Sequence, residues 1–167
     1  YPKKFEIIAI SIDPGFEFFD TQLLQNTCDN LEIPLFIEKS NAKEIVFDIR
    51  KEKNPCSLCA NLRRGAINSV AIREGCNKIA LGHHFDDVIE TLLMSMLYSS
   101  EIKTMLPKLH STNFEGMELI RPLYKVKEKD IIHWANYNDL HFLQCACKMT
   151  EKDSDIENMS KRKETKQ

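Results

Sequence analysis

Two short stretches hold the residues best able to do chemistry. The first is Pro55-Cys56-Ser57-Leu58-Cys59, continuing through Leu62-Arg63-Arg64-Gly65. Two thiols three positions apart at a helix start can point the same way. The positive end of the helix dipole favours their thiolate forms, which ligate metals and act as nucleophiles. The second stretch is Gly82-His83-His84-Phe85-Asp86-Asp87, just beyond the apolar run Ile79-Ala80-Leu81. A helix opening there offers N–H donors to an anion, and its carboxylates could hold a magnesium ion bridging phosphate oxygens. A capping box with Asp87 as N-cap and Glu90 reaching back would account for Asp87 alone. It leaves His83, His84 and Asp86 without a role.

The chain has six cysteines: Cys28, Cys56, Cys59, Cys76, Cys145 and Cys147. Four readings of the close pair compete. A zinc nucleobase deaminase needs an upstream His-x-Glu, and no histidine precedes Cys56. A zinc finger needs two spaced histidines, whereas His83 and His84 are adjacent. A thioredoxin-like dithiol fits the pair but not the Leu-Arg-Arg-Gly and Gly-His-His-x-Asp-Asp segments. An iron–sulfur cluster, completed by Cys145 or Cys147, fits the thiolate donors, and a lone structural dithiol stays open beside it. Cys28 and Cys76 read as small buried hydrophobes.

The elements that must position these groups follow from hydrophobic periodicity. Phe5 to Asp13 is a nearly continuous apolar strand, of the kind buried inside a parallel sheet. An earlier strand is the natural partner for its other edge, so the chain reads as though it starts one βα unit late. Asp13-Pro14-Gly15 is a turn, Phe16 to Leu31 a helix, Ile33 to Ile37 a short strand, and Lys43 to Lys53 a charged, weakly helical piece. A long helix is expected from Ser57 to Glu74, with Leu58, Leu62, Ala66, Ile67, Val70 and Ala71 on one stripe. Arg63 and Arg64 lie off that stripe, either as solvated charge or as a grip for phosphate. Lys78 to Gly82 is the next strand. Asp87 to Tyr98 is a helix facing the sheet through Val88, Ile89, Leu92, Leu93, Met96 and Leu97. Residues 99–116 read as loop, Leu119 to Leu123 as an extended piece, and Lys127 to Asn138 as the last helix. The charged tail from 148 to 167 should be frayed or disordered. Strands alternating with helices predict a doubly wound parallel α/β sheet, with ligands beyond the carboxyl ends of its strands.

At 167 residues, 43% hydrophobic and 29% charged, the chain is sized for one domain with a real core. A net charge of −2 gives no global pull on a polyanion, so any nucleic-acid site must be a local patch. Lys103, Lys108, Arg121, Lys125, Lys127 and Lys129 are nearly cancelled by neighbouring carboxylates. No apolar run approaches the roughly 18 residues of a membrane span, and no secretory leader is evident, which reads as a cytoplasmic protein with no membrane partner.

Cys-Ser-Leu-Cys-x-x-Leu-Arg-Arg-Gly at 56–65, Lys-Ile-Ala-Leu-Gly-His-His-x-Asp-Asp at 78–87, Glu-Thr-Leu-Leu at 90–93 and Ile-Arg-Pro-Leu at 120–123 resemble the tRNA 2-thiocytidine synthetases among the PP-loop ATPases. The resemblance runs from the first strand to about Cys147. It implies an α/β, Rossmann-like parallel sheet of the adenine-nucleotide alpha-hydrolase type over residues 1–147, N-terminally incomplete. The implied activity is ATP-dependent thiolation of an anticodon-loop cytidine, in which the base is adenylated and sulfur displaces AMP. The implied cofactors are a 4Fe-4S cluster, ATP and Mg2+. Cys56, Cys59 and Cys145 would be the cluster ligands and catalytic centre, with Cys147 in reserve because this chain has Cys-Ala-Cys where the family has Cys-x-x-Cys. Asp13, Gly82, His84, Asp86 and Asp87 would line the nucleotide site, and Arg63 and Arg64 would contact RNA. The implied partners are tRNA and a sulfur donor such as a cysteine desulfurase, with a homodimer left open.

The family's Ser-Gly-Gly-Lys-Asp-Ser loop, which cradles pyrophosphate, is not in the sequence and would fall before Tyr1. The expectation is that a longer protein is active and this stretch alone is not. Thiolation of another tRNA base, and a non-catalytic iron–sulfur or zinc protein, remain as alternatives.

Overall fold

A computed structural model describes residues 4–16, 19–50 and 55–140 and divides the chain into two compact units, residues 1–76 and 77–167. Each unit is an α/β assembly in its own right.

In the first unit, β1 (Ala9–Asp13) pairs in parallel with β2 (Leu35–Lys39), in register from Ala9 opposite Leu35 to Asp13 opposite Lys39. The strand expected from Phe5 is shorter, and Phe5 and Ile7 are exposed rather than buried. The ladder opens where the Ala9 N–H donates to the Pro34 carbonyl at 2.8 Å. Pro34 has no N–H to carry the pairing further back, so β2 begins after it.

The first helix, α1 (Thr21–Asn30), starts five residues later than periodicity suggested. Asp20 sets that start: its Oδ1 accepts the Leu23 N–H at 3.0 Å, satisfying a first-turn donor. The charged piece after β2 forms a single π-helical turn, Glu44–Ile49.

The long helix α2 (Pro55–Arg73) matches expectation closely. Val70 and Ala71 on its stripe are fully buried, together with Ala42 and Val46, and the helix packs on β1. It stops at Gly75, whose φ of +71° suits a residue without a Cβ. The Cys76 N–H donates to the Ala71 carbonyl at 2.8 Å and the Gly75 N–H to Ile72 at 3.0 Å. That pair of bonds is a Schellman closure. Cys28 and Cys76 are half-buried, not the fully buried hydrophobes expected.

In the second unit, three short strands run in the order β3 (Lys78–Ala80), β5 (Glu118–Ile120), β4 (Lys108–His110). β3 and β5 are parallel, while β4 is antiparallel to β5, so the sheet is mixed. β4 lies within what the sequence suggested was loop. Its three residues, Lys-Leu-His, hold one apolar side chain and are too few to show a period. β5 is also shorter than the extended piece expected, because Arg121-Pro122 already turns away.

Helix α3 (Phe85–Ser99) begins two residues before the expected Asp87, and α4 (Glu128–Tyr137) follows the reading closely. The α3 stripe is only partly covered. Val88 is buried, but Met96 and Leu97 are 51% and 68% exposed, so the expected sheet-facing row does not hold along its whole length. Among the described residues no helix is long and apolar enough to cross a membrane.

Candidate functional site

The cysteine pair sits in the first turn of α2. Pro55 opens the helix at a position where a missing N–H is harmless. Cys56 is exposed and Cys59 half-buried, so both lie at or near the surface. No acidic side chain occupies that first turn. Within that turn no carboxylate offsets the positive end of the helix, which suits anionic sulfur. Arg63 and Arg64 are exposed further along the same helix, and Arg64 Nη1 makes a long, 3.4 Å bond to Asn61 Oδ1. Thiolate sulfur is the donor type an iron–sulfur cluster takes, and two such donors are in place. Among the described residues no group of three His, Cys, Asp or Glu could hold a metal ion. Cys145 and Cys147 lie outside the described residues, as does the tail.

Asp13 closes β1. Its Oδ1 accepts the Gly15 N–H at 2.8 Å, and its carbonyl accepts the Ser40 N–H at 2.8 Å. Gly15, at φ +85°, makes this tight turn possible. Pro14, Gly15, Ser40, Asn41, Lys43, Glu44 and Asp48 line a recess here, beyond the carboxyl ends of β1 and β2. That is where an open α/β sheet takes ligands.

In the second unit the Gly82–Asp87 turn follows β3, and the Leu81 N–H donates to the Ile120 carbonyl at 3.0 Å. His84, not Asp87, is the N-cap of α3. Asp87 stands at the third helical position and reaches back, its Oδ2 accepting the His84 N–H at 2.9 Å. The capping box expected at Asp87 and Glu90 is thus displaced by three residues. His84 lies between two carboxylates, with Nε2 3.4 Å from Asp87 Oδ2 and Nδ1 3.7 Å from Asp86 Oδ2. Asp87 and Glu90 are both buried. Asp86 also serves a second helix, because its Oδ2 accepts the Glu128 N–H at 2.7 Å, at the start of α4. The structure therefore brings together His84, Asp86 and Asp87 at the end of β3, beside Gly82.

The sequence offers Arg121 as one of several nearly cancelled charges and as part of Ile-Arg-Pro-Leu, with no site role assigned to it. It directly follows β5, beside Leu81-Gly82, with its N–H on the Pro107 carbonyl at 2.9 Å and Nη1 on the Leu106 carbonyl. Burial lowers its guanidinium pKa, and it has no carboxylate partner within ion-pair reach among the described residues. The available signal was its place in Ile-Arg-Pro-Leu, immediately after a strand.

The chain is 39% identical over 145 residues to a tRNA-cytidine(32) 2-sulfurtransferase of Photobacterium profundum, covering 86% of this chain and 48% of that protein. It is 41% identical to that of Shewanella baltica, with 86% and 46% covered, and 37% identical to that of Syntrophotalea carbinolica, with 87% and 56% covered. The chain spans about half the length of these relatives. Among solved structures it is similar to the U34-tRNA thiolase NcsA from Methanococcus maripaludis with its 4Fe-4S cluster. That match has a TM-score of 0.73 at 25% identity and covers 96% of this chain and 54% of that one. A family model for the PP-loop domain matches residues 4–153, and the chain belongs to that family.

Proposed function

We propose that this chain works in ATP-dependent tRNA thiolation, with an anticodon-loop cytidine as the base that receives sulfur. The observation that carries the reading is the surface cysteine pair at the start of α2, in a chain 37–41% identical to tRNA-cytidine(32) 2-sulfurtransferases. Residues 1–147 form the α/β catalytic domain in this reading.

Cys56, Cys59 and Cys145 would be the thiolate ligands of a 4Fe-4S cluster, with Cys147 as the alternative to Cys145. When bound, the cluster supplies a coordination point for sulfur. The pair's own contribution is thiolate donors presented at a helix start, where the dipole stabilises negative charge. In the second unit Gly82, His84, Asp86 and Asp87 are the residues for ATP and Mg2+, and Asp13, at the end of β1, is the first unit's nucleotide-site residue in the same reading. His84 holds the turn through Asp87, and Arg121, with no carboxylate partner among the described residues, adds a positive charge for phosphate. Arg63 and Arg64, exposed on the cysteine-bearing helix, contact the tRNA backbone. The sulfur donor is a persulfide-generating protein such as a cysteine desulfurase, the compartment is the cytoplasm, and a homodimer is compatible with the reading.

The likeness to a U34-tRNA thiolase favours one second reading, thiolation of a wobble uridine. Deleting the encoding gene and analysing tRNA nucleosides separates the two. Loss of 2-thiocytidine is the expected result. Loss of 2-thiouridine alone favours the second reading, and an unchanged set of thionucleosides overturns both.

A further inference from the structure

A separate ionic cluster lies on one face of the β3-β5-β4 sheet. Lys78 is directly opposite Glu118 across β3 and β5, and His110 is directly opposite Glu118 across β4 and β5. Directly paired residues project to the same face, and Lys108 joins them by standing two positions before His110. The contacts follow that register. Lys78 Nζ pairs with Glu118 Oε2, Lys108 Nζ lies 2.6 Å from Oε1, and His110 Nδ1 lies 3.4 Å from Oε1. Glu118 is well covered, its side chain 14% exposed, while Lys78, Lys108 and His110 are 49%, 53% and 78% exposed.

One carboxylate needs one lysine for neutrality. Here two ammonium groups share it, with an imidazole beside them, so this cluster of side chains keeps a surplus positive charge. Each ammonium has three donors, and sharing one carboxylate leaves donors of both directed elsewhere. Glu118 fixes two otherwise flexible side chains close together, which reduces the ordering that an incoming anion must impose. An open face of exposed cations, rather than an enclosed pocket, suits the repeating charge of a polymer backbone.

We propose that Lys78, Lys108 and His110, gathered by Glu118, form a seat for RNA phosphates. The choice of RNA rests on the thiolation reading above. The role is positioning: a phosphate contact fixes where the RNA lies without reading its sequence.

The test is binding of fluorescently labelled transcribed tRNA to the chain across a range of salt concentrations, followed by anisotropy. Lys108→Gln should weaken binding about three- to tenfold and reduce the slope of log K against log salt by about one. Glu118→Gln removes the competing carboxylate and should tighten binding about threefold or more. A merely structural cluster predicts a change in stability for Glu118→Gln with no gain in affinity. Circular dichroism verifies that each variant is folded, and Lys108→Gln stands as the second arm should Glu118→Gln unfold. Wild-type affinity and salt slope in the folded variants, or no tRNA binding by the unaltered chain, would overturn the seat. The readout needs neither ATP nor cluster. Loss of 2-thiocytidine on gene deletion with unchanged affinities sinks the seat alone, and shifted affinities with intact 2-thiocytidine sink the thiolation reading alone.

Discussion

Asp86 reaches across 42 positions of chain to cap another helix: its Oδ2 accepts the Glu128 N–H at 2.7 Å. The first turn of α4 needs acceptors for its N–H groups, and Lys127 at its N-cap makes no side-chain cap bond. A carboxylate from the start of α3 fills that need. The neighbouring Phe85 N–H, donating to the Val126 carbonyl at 2.9 Å, ties the same two segments together. The aspartate-bearing turn after β3 is therefore also a structural clasp.

Replacing Asp86 should separate its structural role from its place in the nucleotide site. Asp86→Ala removes the acceptor and should lower stability by about 1–2 kcal/mol, the usual range for a lost helix cap. Asp86→Asn keeps an acceptor and should lose less. Both remove the negative charge, so both should weaken ATP and Mg2+ binding under the proposed function. Urea unfolding beside nucleotide titration checks this. Equal stability loss in the two variants would refute the clasp.

Glu118 gives the second unit a definite acid sensitivity. The hydrogen bonds from Lys108 and then Lys78 hold its carboxyl down to about 2, from an ordinary 4.5. A depressed folded value means that the unfolded chain binds the proton first. The cluster's stabilisation is therefore complete above about pH 4.5 and drains away as pH falls towards 2. Stability measured by urea unfolding from pH 6 to 2.5 should decline through that window, and less steeply in Glu118→Gln. Identical pH profiles for the two proteins would contradict the assignment.

The legibility of the fold varied with the length and strength of the local pattern. α2 was readable because an apolar stripe runs from Leu58 to Ala71 and Gly75 ends it in a left-handed conformation. The start of α1 was not, because Phe16 and Phe19 continue the helical period outside the helix. Phe16 instead packs edge-on against Phe47, with centroids 6.2 Å apart, and Asp20 decides the boundary. β4 was invisible because three residues carry no period, and its existence depends on a partner beyond the Gly116 turn. Within the site, the grouping of His84, Asp86 and Asp87 could be read from adjacency after a strand. That His84 rather than Asp87 caps α3, and that Asp86 serves α4, depends on tertiary contacts no local pattern encodes.

Val70 tests the packing of the first unit. It is fully buried, on the stripe of the helix that presents the cysteines. Val70→Ala removes two methyl groups and leaves a small void, for which about 2 kcal/mol is expected. Because the cysteines stand about three to four turns earlier on the same helix, their local geometry should survive. The check is a lowered urea midpoint with unchanged iron loading. A loss of iron in a still-folded Val70→Ala protein would mean that α2 transmits packing strain to its first turn.

The cysteines themselves divide by position. Cys56 and Cys59 occupy a helix start with no acidic neighbour in the first turn, and their exposed and half-buried settings leave little packing to lose. Cys28 lies within α1, and Cys76 lies in the closure of α2, where its backbone N–H donates to the Ala71 carbonyl. Anaerobic reconstitution with iron and sulfide should therefore give full loading in Cys28→Ser and Cys76→Ser. Loading should fall severalfold in Cys56→Ser and Cys59→Ser, with less than about 1 kcal/mol change in stability of the metal-free protein. Cys145→Ser should fall with the second group and Cys147→Ser with the first. Iron and sulfide analysis decides the matter: retention in Cys145→Ser together with loss in Cys147→Ser transfers the third ligand to Cys147. Binding of a single zinc with no sulfide would instead make the pair a zinc site, because two thiolates at a helix start serve either metal and only the inorganic sulfide distinguishes them.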